Sequence, residues 1–130
     1  MRTATKNWID TASYDLKTAE AMLISKRYIY VIFMCHLSIE KMIKAVISTE
    51  VKGLPPKSHS LLFLAQKASI QFSDELQEFI ELLDNVSVVT RYPEDLKEMS
   101  REFNKKKAEE VFSTSRRIIK WLRRDKRLKA

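Results

Sequence analysis

The sequence predicts an all-α fold, an antiparallel up-and-down helical bundle of four main helices plus one short helix. Three observations predict it. The 130 residues include one Gly and three Pro, so few turns are encoded and a few long elements are favoured. Apolar residues recur at three- and four-residue spacing in segment after segment. The longest apolar stretch starts at Tyr28 with β-branched and aromatic residues that suit a strand. It then continues through Cys35, Ile39, Met42, Ile43, Val46 and Ile47, which is a helical register without a turn residue. One domain spanning residues 1–130 is expected at this length.

The first helix is expected from about Thr5 to Ser25, with Trp8, Ala12, Leu16, Ala19 and Leu23 as its buried stripe. Asp15 lies on the edge of that stripe, placed to pair with a surface lysine. A short link at Lys26–Arg27 makes the next helix antiparallel to the first. That central helix, Tyr28 to about Glu50, is apolar over more than half its circumference. Val31, Cys35, Ile39, Met42 and Val46 are its expected core, and the wide apolar arc calls for a second copy of the chain to cover it, as in a C₂ homodimer. It is too short and too polar beyond His36 to span a bilayer. Val51-Lys52-Gly53 is its expected stop, with Gly53 able to take a left-handed conformation and Pro55-Pro56 preventing resumption.

Ser58 is the expected N-cap of a short third helix with Leu61, Leu64, Ala65 and Ala68 inside. Ser73 caps a fourth, whose stripe is Leu76, Phe79, Ile80, Leu83 and Val86 and which ends near Pro93. Residues 94–103 read as an irregular, charged connection. Asn104 caps the last helix, Phe103 and Ala108 meet around that cap, and Val111, Phe112, Ser115, Ile118, Ile119 and Leu122 complete the inner side. Arg116, Lys120, Arg123 and Arg127 are expected along its outer face.

Charge is uneven. The chain carries a formal net charge of +7, and residues 101–130 hold 12 basic and 4 acidic groups, so the C-terminal segment supplies the whole excess. Such a segment attracts a polyanion or an acidic protein surface. Trp121, between basic residues, either interleaves with nucleic-acid bases or closes the core. The single Cys35 excludes an intramolecular disulfide and fits a reducing cytoplasm. No apolar leader opens the chain, so no signal peptide is expected. Two His and one Cys without ligand spacing give no metal site, and the lone Gly53 gives no phosphate loop. No cofactor is expected.

His36, Glu40 and Lys44 recur at four-residue spacing on the central helix, against apolar neighbours. An imidazole and a carboxylate there are either functional groups or a buried hydrogen-bonded pair at a seam. His59 follows a Pro-Pro loop at a helix start, where free N–H groups favour an anion. Arg91-Tyr92 ends the fourth helix, and an arginine there can fork a phosphate or cap carbonyls.

Four features now coincide in order. Trp8, Ala12, Asp15-Leu16 and Ala19 open the chain. His36-Leu37-Ser38-Ile39-Glu40-Lys41, with Lys44-Ala45, lies mid-helix. Pro55-Pro56-Lys57-Ser58-His59-Ser60-Leu61 forms a loop, and Arg91-Tyr92-Pro93 follows the fourth helix. Over nearly its whole length the chain resembles the HEPN family (higher eukaryotes and prokaryotes nucleotide-binding). The resemblance implies a small helical bundle, a homodimer, and a minimal nucleotidyltransferase as partner in a toxin–antitoxin-like two-component system. Many members are ribonucleases with an Arg followed four to six residues later by a His. Here Arg91 has no His after it, and Arg27 precedes His36 by nine positions.

The first reading is therefore a dimeric module that recognises a nucleotide or RNA phosphate through Arg91, Tyr92, His59, Lys57, Glu40, Lys41 and Lys44. The second is a metal-independent ribonuclease, with Arg91 and either His59 or His36 as its catalytic groups. The third is a structural adaptor without a ligand.

Overall fold

A computed structural model describes the backbone of residues 1–89 and 93–129. Its helices are α1 (Thr3–Ile24), α2 (Tyr28–Ser48), α3 (Leu61–Lys67), α4 (Asp74–Val89), α5 (Pro93–Glu102) and α6 (Lys105–Arg123), closed by a 3₁₀ turn at Lys126–Lys129. No strand occurs among the described residues.

Helix α1 lies antiparallel along α2, as their cross-links show. Arg2 donates to the carbonyls of Ser48 and Val51, Thr5 meets Ser48 at 2.6 Å, Ser38 donates to the Ala12 carbonyl, and Lys41 pairs with Asp15. The start of one helix thus faces the end of the other. The Asp15–Lys41 ion pair, with N···O 2.6 Å, is the edge pairing expected of Asp15. Helix α6 runs in the same sense as α2, with Ser115 beside Cys35 and Arg127 bound to Glu50 near the other end. Burial pushes the Cys35 thiol up to about 12, the Ser115 hydroxyl opposing only in part, so it stays a protonated core group.

Fourteen of the 21 residues of α2 are buried within the single chain, among them Val31, Cys35, Ile39, Met42 and Val46, all wholly inaccessible. The expected core is the observed one. The expectation that a second copy is needed to cover α2 is corrected: α1, α6, α3 and α4 suffice, because the loop after α2 doubles back and lays α3 along it.

The turns explain how so few glycines are enough. At the end of α1, Arg27 N–H bonds the Met22 carbonyl and Lys26 N–H bonds Leu23, with Lys26 left-handed at φ 64°. The end of α3 repeats this with Ser69 at φ 54°. Both are Schellman closures built without glycine. Gly53 is left-handed too, at φ 107°, but α2 has already stopped at Ser48, so Gly53 turns the loop and does not cap the helix.

Three further expectations are corrected. The N-cap of α3 is Ser60, whose Oγ accepts from Phe63 N, while Ser58 Oγ accepts from Ser60 N just before it. Residues 94–103 are not irregular: they form most of α5, with Pro93 at its first position, where a missing N–H does no harm. Arg127 is not on the outer face of α6. The helix ends at Arg123, and Arg127 turns inward to the Ala68 carbonyl at 2.6 Å, Glu50 at 3.0 Å and Asp125 at 2.9 Å. The caps at Ser73 and Asn104 are found as expected, and Phe103 and Ala108 are both buried.

Candidate functional site

The four-residue spacing of His36, Glu40 and Lys44 aligns them on the side of α2 that faces the α3 start and α4. All three are buried, at 2%, 3% and 6% exposure. Ionic groups so placed must be compensated. Lys44 Nζ donates to Glu40 Oε2 at 3.0 Å and lies 5.7 Å from the Trp8 ring centroid. The loop after Pro55-Pro56 brings His59 against the same carboxylate, its Nδ1 at 3.1 and 3.2 Å from the two oxygens. Facing a carboxylate, Nδ1 is the donor, and Nε2 is the nitrogen turned away from Glu40. Among the described residues Nε2 has no partner, and the His59 side chain is 60% exposed.

On the other side, His36 Nε2 lies 3.0 Å from Asp84 Oδ1. Asp84 also accepts from Leu61 N at 2.9 Å, Leu62 N at 3.2 Å and the Ser60 hydroxyl at 3.3 Å. Burial alone would raise the Asp84 pKa, but the His36 hydrogen bond and the two backbone N–H groups hold it below the usual carboxylate range. Asp84 is therefore an anion and only accepts, so the His36 proton sits on Nε2. The free N–H groups expected at the α3 start are thus taken by a carboxylate from the chain itself.

One polar assembly of two adjoining clusters results: Lys44, Glu40 and His59 in one, His36, Asp84 and the first turn of α3 in the other, with His36 Nδ1 4.0 Å from Glu40 Oε1. It borders a cleft of about 490 Å³ lined by His59, Ser60, Leu62, Glu81, Asp84, Asn85 and Ser87. Chemically, the network can hold one imidazole, His59, in a fixed tautomer at the cleft wall and leave its second nitrogen open for proton transfer. The described residues contain no group of His, Cys, Asp and Glu able to hold a metal.

Of the sequence candidates, the fold brings together His36, Glu40, Lys44 and His59. It does not bring Lys41, which is occupied by Asp15 against α1. Lys57 is exposed on the loop. Arg91 and Tyr92 lie outside the described residues. Arg116, Lys120 and Arg123 are exposed on α6, away from α2, and make no ion pair among the described residues. Sequence reasoning missed Asp84 and Ser60. The available signal was an acid one turn from Ile80, at the margin of the α4 stripe.

The fold has counterparts in known proteins. A family model described as HEPN domain matches residues 5–125. The chain belongs to the HEPN family. Among solved structures, TT1696 from Thermus thermophilus superposes with a TM-score of 0.77 at 21% identity, covering 93% of this chain and 97% of that one. ST0689, described as an archaeal HEPN homologue, gives 0.71 at 19% identity over 95% of this chain and 97% of its own. Both likenesses concern the fold. No curated protein matches the chain. No helix among the described residues is long and apolar enough to cross a membrane.

Proposed function

We propose that the chain is a HEPN-type binding module that recognises RNA or nucleotide phosphate, works as a homodimer and partners a minimal nucleotidyltransferase in a two-component system. The observation that carries the phosphate reading is the outward face of α6. From Val111 to Arg124 the sequence has no acidic residue, and Arg116, Arg117, Lys120, Arg123 and Arg124 are all exposed. Among the described residues none of them has an ion-pair partner to give up on meeting a phosphate. The homodimer and the nucleotidyltransferase partner are supported by the family alone.

The test is RNA binding by fluorescence anisotropy across a salt series. Replacing Arg116, Lys120 and Arg123 together by Glu is expected to weaken binding regardless of RNA sequence. It should also flatten the log–log salt slope by about 2, since each lost contact to a single strand removes roughly 0.7 of released counterion. Unchanged affinity and slope would leave the basic face as a solubility feature and favour the adaptor reading.

One observation favours the ribonuclease as second reading: the exposed imidazole of His59 backed by buried Glu40. In that reading His59 Nε2 takes the proton of the RNA 2′-hydroxyl as the oxygen attacks phosphorus, and the P–O5′ bond breaks to leave a 2′,3′-cyclic phosphate. The departing 5′-oxygen takes a proton from water, Glu40 steadies the imidazolium, and Arg91 is the cation assigned to the phosphate charge. Single-turnover cleavage by the wild type, with losses of about a hundredfold in both His59→Ala and Arg91→Ala, would establish it over the binding reading.

A further inference from the structure

We propose that Trp121, at the edge of the basic face of α6, is a stacking platform for an unpaired nucleobase, so that the preferred ligand is single-stranded nucleic acid. This rests on the reading of α6 as the phosphate-binding surface and names the ligand class that surface selects. A tryptophan so close to the core usually hides. Here Trp121 is 45% exposed, although its neighbours Ile118 and Leu122 are buried. The indole is not loose. Phe72 holds it from one side, ring centroids 5.6 Å apart at 42°, and Phe72 is itself buried. The arrangement fixes the orientation of the ring while much of its surface stays open.

The surroundings complete the site. Trp121 borders a shallow hollow of about 630 Å³ that also takes in Arg124, Lys126 and Arg127. Arg117, one turn back on α6, and Arg124, one turn on, flank the indole on the outer face. Asp125 is the only acidic residue after Glu110. It would repel a phosphate, but Arg127 binds both its oxygens at 2.9 Å and holds its pKa down by that same hydrogen bond. An ordered aromatic surface with cations on the outer side is what single strands require: bases stack on the ring and the backbone tracks the charges. A duplex keeps its bases stacked on one another and can use only the charges. A second copy of this chain is the competing occupant, and the same experiment decides against it or for it.

The experiment uses the full chain in a Trp8→Phe background, so that Trp121 is the sole indole, with circular dichroism as the check on folding. Probes are a uridine RNA and a thymidine DNA of about ten nucleotides, within the usual site size, a duplex of the same length, and inorganic polyphosphate. Both single strands are expected to quench Trp121 fluorescence, and RNA tighter than DNA would mark a 2′-hydroxyl contact in addition. Polyphosphate should bind without quenching. Trp121→Ala should weaken single-strand binding by about 5- to 100-fold, the range of one base stack, leave duplex and polyphosphate unchanged, and be largely rescued by Trp121→Phe. If Trp121→Ala weakens no probe, or weakens all equally, the inference fails while charge-based binding by α6 stands. If the variant instead turns a dimer into a monomer, Trp121 serves the second copy and the inference is overturned. If no probe binds the parent protein, the phosphate reading fails first and this inference with it.

Discussion

At the scale of single residues, Asp84 is the group on which most of the site depends. It takes up two backbone donors of α3, the Ser60 hydroxyl and the His36 ring at once. Asp84→Ala leaves those donors in a partly buried place with nothing to receive them, and is expected to cost at least about 2 kcal/mol in urea unfolding. Its titration adds a pH signature. The folded-state pKa is lowered, so the group stabilises the fold fully above its ordinary value and loses that contribution as pH falls through the folded value. Stability measured below about pH 4 should therefore drop more steeply in the wild type than in Asp84→Asn. Equal acid limbs in the two proteins would mean that Asp84 is not tied to His36 and α3 as described. His36, Glu40 and Lys44 were legible from four-residue spacing, because a helix converts that spacing directly into a shared side. Asp84 was not, since its partners come from α2 and α3 and only the tertiary fold brings α4 to them.

At the scale of elements, legibility followed how much each segment relies on its own apolar period. The inner side of α6 and the core residues of α2 were readable residue by residue, whereas the α1 stripe was read slightly rotated. Only Ala12 and Ala19 of it are buried, Trp8, Leu16 and Leu23 are half-buried, and Thr5, Ile9 and Asp15 take the inner places. Helix α5 was missed because charged residues dominate it, although Leu96, Met99 and Phe103 recur at helical spacing in the sequence. The end of α1 was read to within a residue from the Lys26–Arg27 link, although Lys26 is left-handed without being glycine, whereas the end of α2 was placed too late because Gly53 was taken for its cap. Helix α2 gives the clearest prediction at this scale. Ile39 is wholly inaccessible and lies in the part of α2 packed between other helices, so the space left by truncation cannot easily collapse. Ile39→Ala should cost about 2–5 kcal/mol by denaturant unfolding. A loss of less than about half a kcal/mol, the scale of a surface change, would show that α2 is not the centre of the core.

At the scale of the whole molecule, the burial of the middle and end of α2 within one chain moves any dimer surface to its first turn. The turn between α1 and α2 is the natural place. Ile24 at 76% and Tyr30 at 54% exposure flank it, next to a hollow of about 280 Å³ lined by Tyr28, Ile29 and Phe103. Isolated apolar side chains are ordinary on a surface, but several around one concavity are the pattern of a contact between copies. Light scattering at micromolar concentration is expected to give twice the chain mass of 15.3 kDa. Ile24→Asp with Tyr30→Glu should return the monomer without loss of helix content. Salt separates this contact from RNA binding. Two copies each carrying a formal +7 repel one another, so screening should tighten an apolar dimer. The same salt releases RNA from α6, since phosphate contacts depend on counterion release. A dimer that dissociates as salt rises would contradict an apolar contact, and a 15.3 kDa particle at every salt concentration would remove the homodimer from the proposal.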